Sequence, residues 1–203
     1  MNGQQETKAP SQVRLYLMMA ALGLAYFFSN FHRLSLGVLG DEMAADFGLS
    51  AAELGILGSA FFYTYAVMQI PSGLLSDKVS AKYLIAGSCL ICGLSTIWFG
   101  HSGNFAGLVA ARALTGLAGA FVYVPALSTI RYWFGDKKLG TMTGILVAMG
   151  QIGAASASAP LKLISDALGW RDSFSIIGYI SLVLFFLSIA ASLNPKKKET
   201  VKN

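Results

Sequence analysis

Residues 13–40 read VRLYLMMAALGLAYFFSNFHRLSLGVLG, and this stretch decides the fold class. It is apolar and long enough to cross a bilayer as a helix, which needs about 20 residues at roughly 1.5 Å each. Asn30, His32 and Arg33 nevertheless lie well inside it. A charge near the middle of a lipid-crossing helix costs about 2.5–3.5 kcal/mol even on the lenient insertion scale. We therefore expect Arg33 to face a wet cavity or a partner, the alternative being an arginine that snorkels near a helix end.

The composition extends this prediction to the whole chain. Of 203 residues, 55% are hydrophobic and 12% are charged, whereas a soluble domain carries about 25% charged residues. The hydrophobic residues come in long blocks, which indicates an integral membrane protein. The formal charge of +5 does not indicate nucleic-acid binding, because the basic residues lie mostly in short loops and tails.

Six apolar stretches predict an all-α bundle of six transmembrane helices, over about 13–40, 51–75, 83–101, 105–134, 141–165 and 173–193. A polar tail, residues 1–12, precedes them, and a basic tail, residues 194–203, follows them. Ser50, with Glu53 three residues further on, predicts a capping box at the start of the second helix.

The basic residues predict which side of the membrane holds the two termini. With a cytoplasmic N-terminus, eleven of them fall on the cytoplasmic side: Lys8, Arg14, Lys78, Lys82, Arg131, Lys137, Lys138, Lys196, Lys197, Lys198 and Lys202. Arg171, and Lys162 if the fifth span ends before it, fall on the other side. The positive-inside rule therefore predicts that both termini are cytoplasmic.

Polar residues at helical spacing predict a site at mid-membrane. Tyr26, Asn30 and Arg33 stand at i, i+4 and i+7, so they share one face of the first helix. The other spans add the groups that a polar substrate could meet there: Tyr65, Gln69, Tyr123 and Gln151. The alternative for each tyrosine is a packing residue or one at the membrane interface.

His32 points about 100° away from that face, as the 3.6-residue period requires. It is the one group in a predicted span that titrates near neutral pH, so it is a candidate for proton coupling. The alternative is a hydrogen-bonded packing residue. The spans contain no aspartate or glutamate at mid-membrane, although proton-driven carriers usually rely on a buried carboxylate.

The sequence gives no indication of an enzyme. It contains no Ser/His/Asp set, no metal-ligand spacing and no phosphate-binding loop of the Walker type, so we expect no catalytic residue, metal or cofactor. Cys89 and Cys92 lie inside an apolar run and are predicted to be buried.

Small residues recur at helix-packing spacing, among them Gly116, Gly119, Gly144 and Gly153. Close approach over small residues is a main source of packing energy in lipid. The run GQIGAASASAP, residues 150–160, predicts a helix that slides against or lines something. A Gly-Leu-Ala sequence occurs at 23–25 and again at 116–118, which is compatible with a three-plus-three helix repeat.

The loop between the second and third spans carries a family resemblance. Residues 73–82, GLLSDKVSAK, resemble the signature loop of the major facilitator superfamily: Gly73, Asp77, Lys78 and Lys82 match, whereas Ser80 and Ala81 depart from it. The run that begins at Arg112 and includes Gly116 and Gly119 is similar to the second motif of that family. Residues 131–136, with Arg131 and Asp136, and residues 169–171 are similar to its usual loops.

Within the superfamily, the chain most resembles the organic-anion and sugar-phosphate carriers. The resemblance implies that Arg33 meets an anionic group and that transport proceeds by alternating access. His32 stands where many proton-coupled members have an aspartate, which argues against proton coupling. The antiporter motif is matched only in part, by Gly144 and Gly153, so antiport is not inferred.

The resemblance also implies partners, a location and a latch. A usual carrier has two six-helix halves, so this chain is expected to pair with a second half, as a homodimer or with another chain, in a bacterial plasma membrane. Arg112 is assigned to helix packing. The expected conformational latch consists of Gly73, Asp77, Lys78, Lys82, Arg131 and Asp136, with Asp77 capping the third span and pairing with Arg131. The alternatives are a truncated half of a longer carrier and a membrane sensor or assembly subunit that does not transport.

Overall fold

The computed structural model describes residues 11–191, and every regular element in that range is an α-helix. The helices are α1 (Gln12–Phe47), α2 (Ala51–Lys78), α3 (Ala81–His101), α4 (Phe105–Gly119), α5 (Tyr123–Ser156), α6 (Ala159–Leu168) and α7 (Trp170–Ala191). The all-α membrane class is therefore confirmed. The predicted basic tail and residues 1–10 of the polar tail lie outside the described residues, as do Lys8, Lys196, Lys197, Lys198 and Lys202.

Five segments of the described chain are long and apolar enough to cross a membrane: Gln12–Phe47, Ala51–Lys78, Ala81–His101, Phe105–Ser156 and Trp170–Ala191. The fourth of these has 52 residues and covers two of the predicted spans. A break at Gly135 divides this segment into two helical parts. The φ angle there is 68°, a conformation that cannot continue an α-helix and that glycine adopts easily. The chain therefore reverses between its fourth and fifth crossings at this residue.

Several helix ends differ from the predicted spans for local reasons. The first helix continues to Phe47, seven residues beyond the predicted end, and stops where Gly48 adopts the left-handed conformation with φ 66°. The second helix begins with the predicted capping box, since the side chain of Ser50 accepts from the backbone N–H of Glu53 and the Glu53 carboxylate accepts from the Ser50 N–H at 2.8 Å. The fifth predicted span breaks at Ser158, between α5 and α6.

The helices pack as three main pairs, α3 with α7, α1 with α5, and α2 with α4. Glycine makes two of these approaches possible. A methyl group at Gly153 would overlap the carbonyl oxygen of Phe27 on α1, and one at Gly116 would overlap that of Phe61 on α2. Gly119 has ordinary contacts, at 3.4 Å or more. Gly144 was expected to pack in the same way, but a methyl group there would meet nothing within 4 Å in this chain.

Apolar side chains form two clusters, one at each end of the bundle. Met18, Ile85, Ile130 and Leu146 belong to the cluster at the end where α1 begins. The other cluster, at the end where α1 stops, includes Leu39, Met43, Phe99, Trp170 and Phe174.

Charged side chains reinforce the second end. The Glu42 carboxylate on α1 accepts hydrogen bonds from Lys162 and Ser165 on α6. Arg171 at the start of α7 pairs with Asp46 at 2.9 Å and lies over the ring of Trp170. These contacts hold the end of α1 against α6 and α7, and they restrict the movement of α1, which carries Arg33.

Candidate functional site

The arginine of the first helix lies on a polar face, as its spacing predicts. Arg33 is half-buried, and its Nη2 donates to Oδ1 of Asn30 at 2.5 Å. The amide nitrogen of Asn30 in turn donates to the carbonyl oxygen of Tyr26 at 2.9 Å. The three residues therefore form a chain of contacts along α1, and Asn30 orients the guanidinium with a neutral partner.

Tyrosines from two other helices join this face. The ring of Tyr123 on α5 lies 5.3 Å from that of Tyr26, centroid to centroid. On α2, Tyr65 hydrogen-bonds with Gln69 and lies close enough to Arg33, Tyr26 and Tyr123 to interact with them electrostatically. Residues from α1, α2 and α5 thus lie near one another on this face.

Gln151 does not join the other predicted binding residues. It is exposed on α5 and makes no side-chain hydrogen bond to the described part of the chain. Its neighbour Gly150 does reach the site, since a methyl group there would overlap the Tyr26 ring and lie 2.8 Å from the amide nitrogen of Asn30. Gln151 therefore lies next to the site in sequence, but its side chain is on the exposed surface of α5.

A cleft of about 320 Å³ runs between α1 and α2 beside Arg33. Its walls contain Gly37, Gly40 and Gly58, which leave the space open because they carry no side chain. Arg33 and Arg112 line it, and Asp41 lies further along α1. Arg33 therefore lines a cleft, and the other predicted binding residues are not among those that line it.

Arg112 was predicted to take part in helix packing, and its contacts agree with that prediction. Its side chain is 3% exposed, and its Nη1 and Nη2 donate to the carbonyl oxygens of His32 at 2.7 Å and Arg33 at 3.1 Å. The guanidinium carbon lies 4.9 Å from the centre of the Phe61 ring. An arginine inside an apolar span is also a functional-site candidate, for the same reason as Arg33.

His32 lies on the other side of α1 from the cleft. It is 2% exposed, and its Nε2 lies 2.9 Å from Oγ of Ser181 on α7. Its Nδ1 lies 3.4 Å from Oγ1 of Thr96 on α3. These contacts fit the packing alternative, and a role in proton coupling stays a prediction.

The loop residues assigned to the latch lie at the end of the bundle where α1 begins. Ser80, and not Asp77, occupies the N-cap position of α3, and Asp77 and Lys78 are exposed at the end of α2. Arg131 pairs with Asp136 at 3.5 Å instead of with Asp77. The other latch residues, Gly73 and Lys82, are partly exposed. In this structure Arg131 therefore pairs with a residue of its own element, α5.

These features define the class of the protein: an all-helical, multi-pass membrane protein with a charged cleft between its helices. The sequence profile of the Major Facilitator Superfamily matches residues 22–203. The chain belongs to the major facilitator superfamily, which confirms the resemblance read from its loops. This is a family of transporters, so the expectation that the chain is not an enzyme is also confirmed.

Curated relatives cover most of this chain. A probable sulfoacetate transporter of Cupriavidus necator is 29% identical and covers 82% of it. A probable hexose phosphate transport protein of Chlamydia muridarum is 29% identical and covers 88%. A probable galactarate/D-glucarate transporter of Escherichia coli K12 is 30% identical and covers 89%. This chain spans 39%, 38% and 42% of their respective lengths.

Solved structures share the fold. A bacterial homologue of the human lysosomal transporter Spinster, in an inward-facing and unoccupied conformation, matches with a TM-score of 0.82 at 22% identity. The match covers 93% of this chain and 45% of the other. The chain therefore has the fold of half a major facilitator protein.

Proposed function

We propose that this chain is one half of a transporter that moves small organic anions across a membrane by alternating access. Arg33 binds the anionic group of the solute, and Asn30, Tyr26, Tyr65, Gln69 and Tyr123 supply hydrogen-bond donors and acceptors around it. The names of the relatives support the substrate class, because sulfoacetate, hexose phosphates and glucarate all carry acidic groups.

The observation that carries this proposal is the setting of Arg33. Arg33 lines a cleft of about 320 Å³, and no carboxylate in residues 11–191 forms an ion pair with it. Arginine presents donors in a planar fork that matches carboxylate and phosphate groups. An arginine that is charged, half-buried and held only by a neutral amide suits an anion that arrives and leaves.

The proposal includes a second six-helix half that covers the open surfaces of this one. On α2, Tyr63, Val67 and Ile70 share a face and are 68–74% exposed. On α5, Gly144 and Gln151 are exposed on one face. A large polar side chain is disfavoured against lipid, whereas an open glycine permits close approach of another helix. In a pair of chains, the exposed face of α2 in one copy would pack against the exposed face of α5 in the other.

The proposed orientation places both termini in the cytoplasm of a bacterial cell, with the chain in the plasma membrane. Within the described residues, Arg14, Lys78, Lys82, Arg131, Lys137 and Lys138 belong to the cytoplasmic end in this orientation. The acidic residues Asp41, Glu42, Asp46, Glu53, Asp166 and Asp172 belong to the other end. The basic residues support the orientation through the positive-inside rule.

Uptake into proteoliposomes tests the transport proposal. Vesicles containing the protein are expected to accumulate radiolabelled sulfoacetate, glucose 6-phosphate or glucarate, and Arg33→Gln is expected to abolish accumulation. Arg14→Gln is the matched control, because Arg14 is an exposed arginine of the same helix, near its start. Ligand-induced thermal stabilisation without uptake would favour the sensor alternative, and an active Arg33→Gln variant would refute the assignment of Arg33.

The mass of the purified particle tests the paired arrangement. Multi-angle light scattering in detergent is expected to give the protein mass of two chains, 21.5 kDa each. Crosslinks between cysteines introduced at Val67 and Gly144 in separate copies would place α2 of one copy beside α5 of the other. A transport-competent particle containing one chain alone would rule the second half out.

A further inference from the structure

We propose that the cleft between α1 and α2 is a subsite for a doubly charged oxyanion, and that Arg112 is its second cation beside Arg33. The inference rests on the proposed function for Arg33 and adds the charge of the group that the site accepts. It assigns both cations to one protomer, so the pair forms without any contribution from a second half.

The first argument is the uncompensated charge of Arg112. The side chain is 3% exposed, and no carboxylate within residues 11–191 forms an ion pair with it. Its two hydrogen bonds go to neutral carbonyl oxygens, those of His32 and Arg33. A buried charge without a counter-charge is unfavourable, so an anion in the cleft would be strongly attracted to it.

The second argument is an unused donor. The Nε of Arg112 is buried and has no hydrogen-bond partner in the described part of the chain. Buried donors are nearly always paired in folded proteins, so an unpaired one calls for an explanation. Because Arg112 lines the cleft and this N–H has almost no accessible surface, a small shift of the side chain would let it donate to an oxyanion there.

The third argument is the combination of the two guanidinium groups. Arg112 donates to the backbone oxygen of Arg33 at 3.1 Å, and both arginines line the same cleft. An anion in the cleft therefore interacts with two positive charges, and two negative charges are attracted more strongly than one. A dianionic group, such as a phosphate or a pair of carboxylates, is favoured over a single carboxylate.

Asp41 provides a test of where along the cleft the anion binds. It lines the same cleft and lies eight residues beyond Arg33 on α1, a rise of about 12 Å. Its carboxylate opposes an anion at the far end of the cleft, which favours binding at the arginine end. Replacing it by asparagine should therefore tighten anion binding while leaving both arginines in place.

Sulfate and methanesulfonate test the charge requirement, because they share a tetrahedral sulfur centre and differ by one negative charge. Isothermal titration of the wild-type protein in phosphatidylcholine nanodiscs is expected to show sulfate binding roughly tenfold tighter than methanesulfonate, or better. Asp41→Asn is expected to tighten sulfate more than methanesulfonate. Equal affinities for the two ions in the wild type would overturn the subsite.

Two variants locate the ion and separate this inference from the proposed function. Arg112→Gln is expected to reduce the ratio of sulfate to methanesulfonate affinity to near one, whereas the control Arg112→Lys, which keeps the charge but loses the two-carbonyl contact, is expected to keep sulfate the tighter ligand. Gly37→Leu adds a side chain to the cleft at a position where a Cβ atom meets nothing within 4 Å, so the fold should survive and sulfate binding should fall at least tenfold. Undiminished sulfate binding in Gly37→Leu would overturn the location. Loss of all anion binding in Arg33→Gln, with an unchanged ratio in Arg112→Gln, would overturn the subsite and leave the proposed function standing.

A lipid head group carries the same phosphate chemistry as a soluble solute. Nanodiscs containing one tenth phosphatidic acid separate the two sources. Sulfate binding is expected to be unchanged in them, and competition by phosphatidic acid would assign the cleft to lipid and overturn its role in solute binding.

Discussion

Arg112 and His32 are joined across two helices: Nη1 of Arg112 on α4 donates to the carbonyl oxygen of His32 on α1 at 2.7 Å. The second nitrogen, Nη2, donates to the carbonyl oxygen of Arg33. The backbone that carries Arg33 is thus held by a buried side chain from another helix. The direction of the Arg33 side chain depends on α4 as well as on α1.

Replacing Arg112 by lysine should therefore destabilise the bundle. A lysine ammonium keeps the charge but cannot present the planar fork that reaches two carbonyl oxygens. We expect a loss of about 1.5–3 kcal/mol, the usual contribution of one hydrogen bond to a charged group. The free energy of unfolding in detergent, measured by denaturant titration, checks this. Arg14→Lys is the exposed control, and equal stability of the two variants would contradict the role of Arg112 as a clamp.

The contact between α1 and α5 should be sensitive to a single methyl group. Gly153→Ala places that group against the carbonyl oxygen of Phe27, and overpacking of this kind typically costs about 1–3 kcal/mol. Gly144→Ala on the same helix meets nothing within 4 Å and should be neutral or slightly stabilising within one chain. Thermal unfolding of the two variants compares them directly. A Gly153→Ala protein as stable as Gly144→Ala would show that α1 and α5 are not in close contact.

Much of this architecture could be predicted because lipid imposes a strong constraint on sequence. Apolar length located the crossings, and the helical period placed Tyr26, Asn30 and Arg33 on one face. The capping box at Ser50 and Glu53 is a local pattern, so it was predicted and is confirmed.

The remaining features depend on contacts between distant parts of the chain. The hydrogen bonds of His32 to Ser181 and Thr96 span 149 and 64 residues, and no local pattern encodes them. Gly153 and Gly144 look alike in sequence, yet only the first faces a neighbouring helix in this chain. The extension of α1 to Phe47 was missed because charged residues after Gly40 resemble a loop, although they pair with α6 and α7.

The attachment of α6 to α1 should weaken when Glu42 loses its charge. Glu42→Gln keeps the shape of the side chain but leaves Lys162 with Asp166 as its remaining ion-pair partner, at 2.8 Å. Because the pair is partly exposed, we expect a loss of less than about 1 kcal/mol in global stability. Amide hydrogen exchange in residues 159–168 should nevertheless become faster. Asp172→Asn serves as the control, and unchanged exchange in Glu42→Gln would argue that α6 is held by apolar contacts alone.

His32 should behave as a packing residue in transport assays. Its ring contacts Ser181 and Thr96 and lies away from the cleft, so His32→Gln is expected to lower stability by about 1–3 kcal/mol through imperfect replacement of buried hydrogen bonds. The pH profile of anion uptake in proteoliposomes should keep its shape. A profile that becomes flat in this variant, while the wild type remains pH-dependent, would identify His32 as the coupling group instead.

Asp77, at the end of α2, should matter for transport but not for solute binding. In this structure Arg131 pairs with Asp136, and the pair is largely exposed, so it is weak enough to be exchanged for another. If Asp77 takes Arg131 as its partner in a second conformation, Asp77→Asn removes a contact of that conformation only. Uptake should then fall several-fold, while thermal stabilisation by the transported anion stays at the wild-type level. Lys138→Gln, an exposed change in the neighbouring loop, should leave both measurements unaltered. Wild-type uptake by Asp77→Asn would show that Arg131 needs no partner other than Asp136.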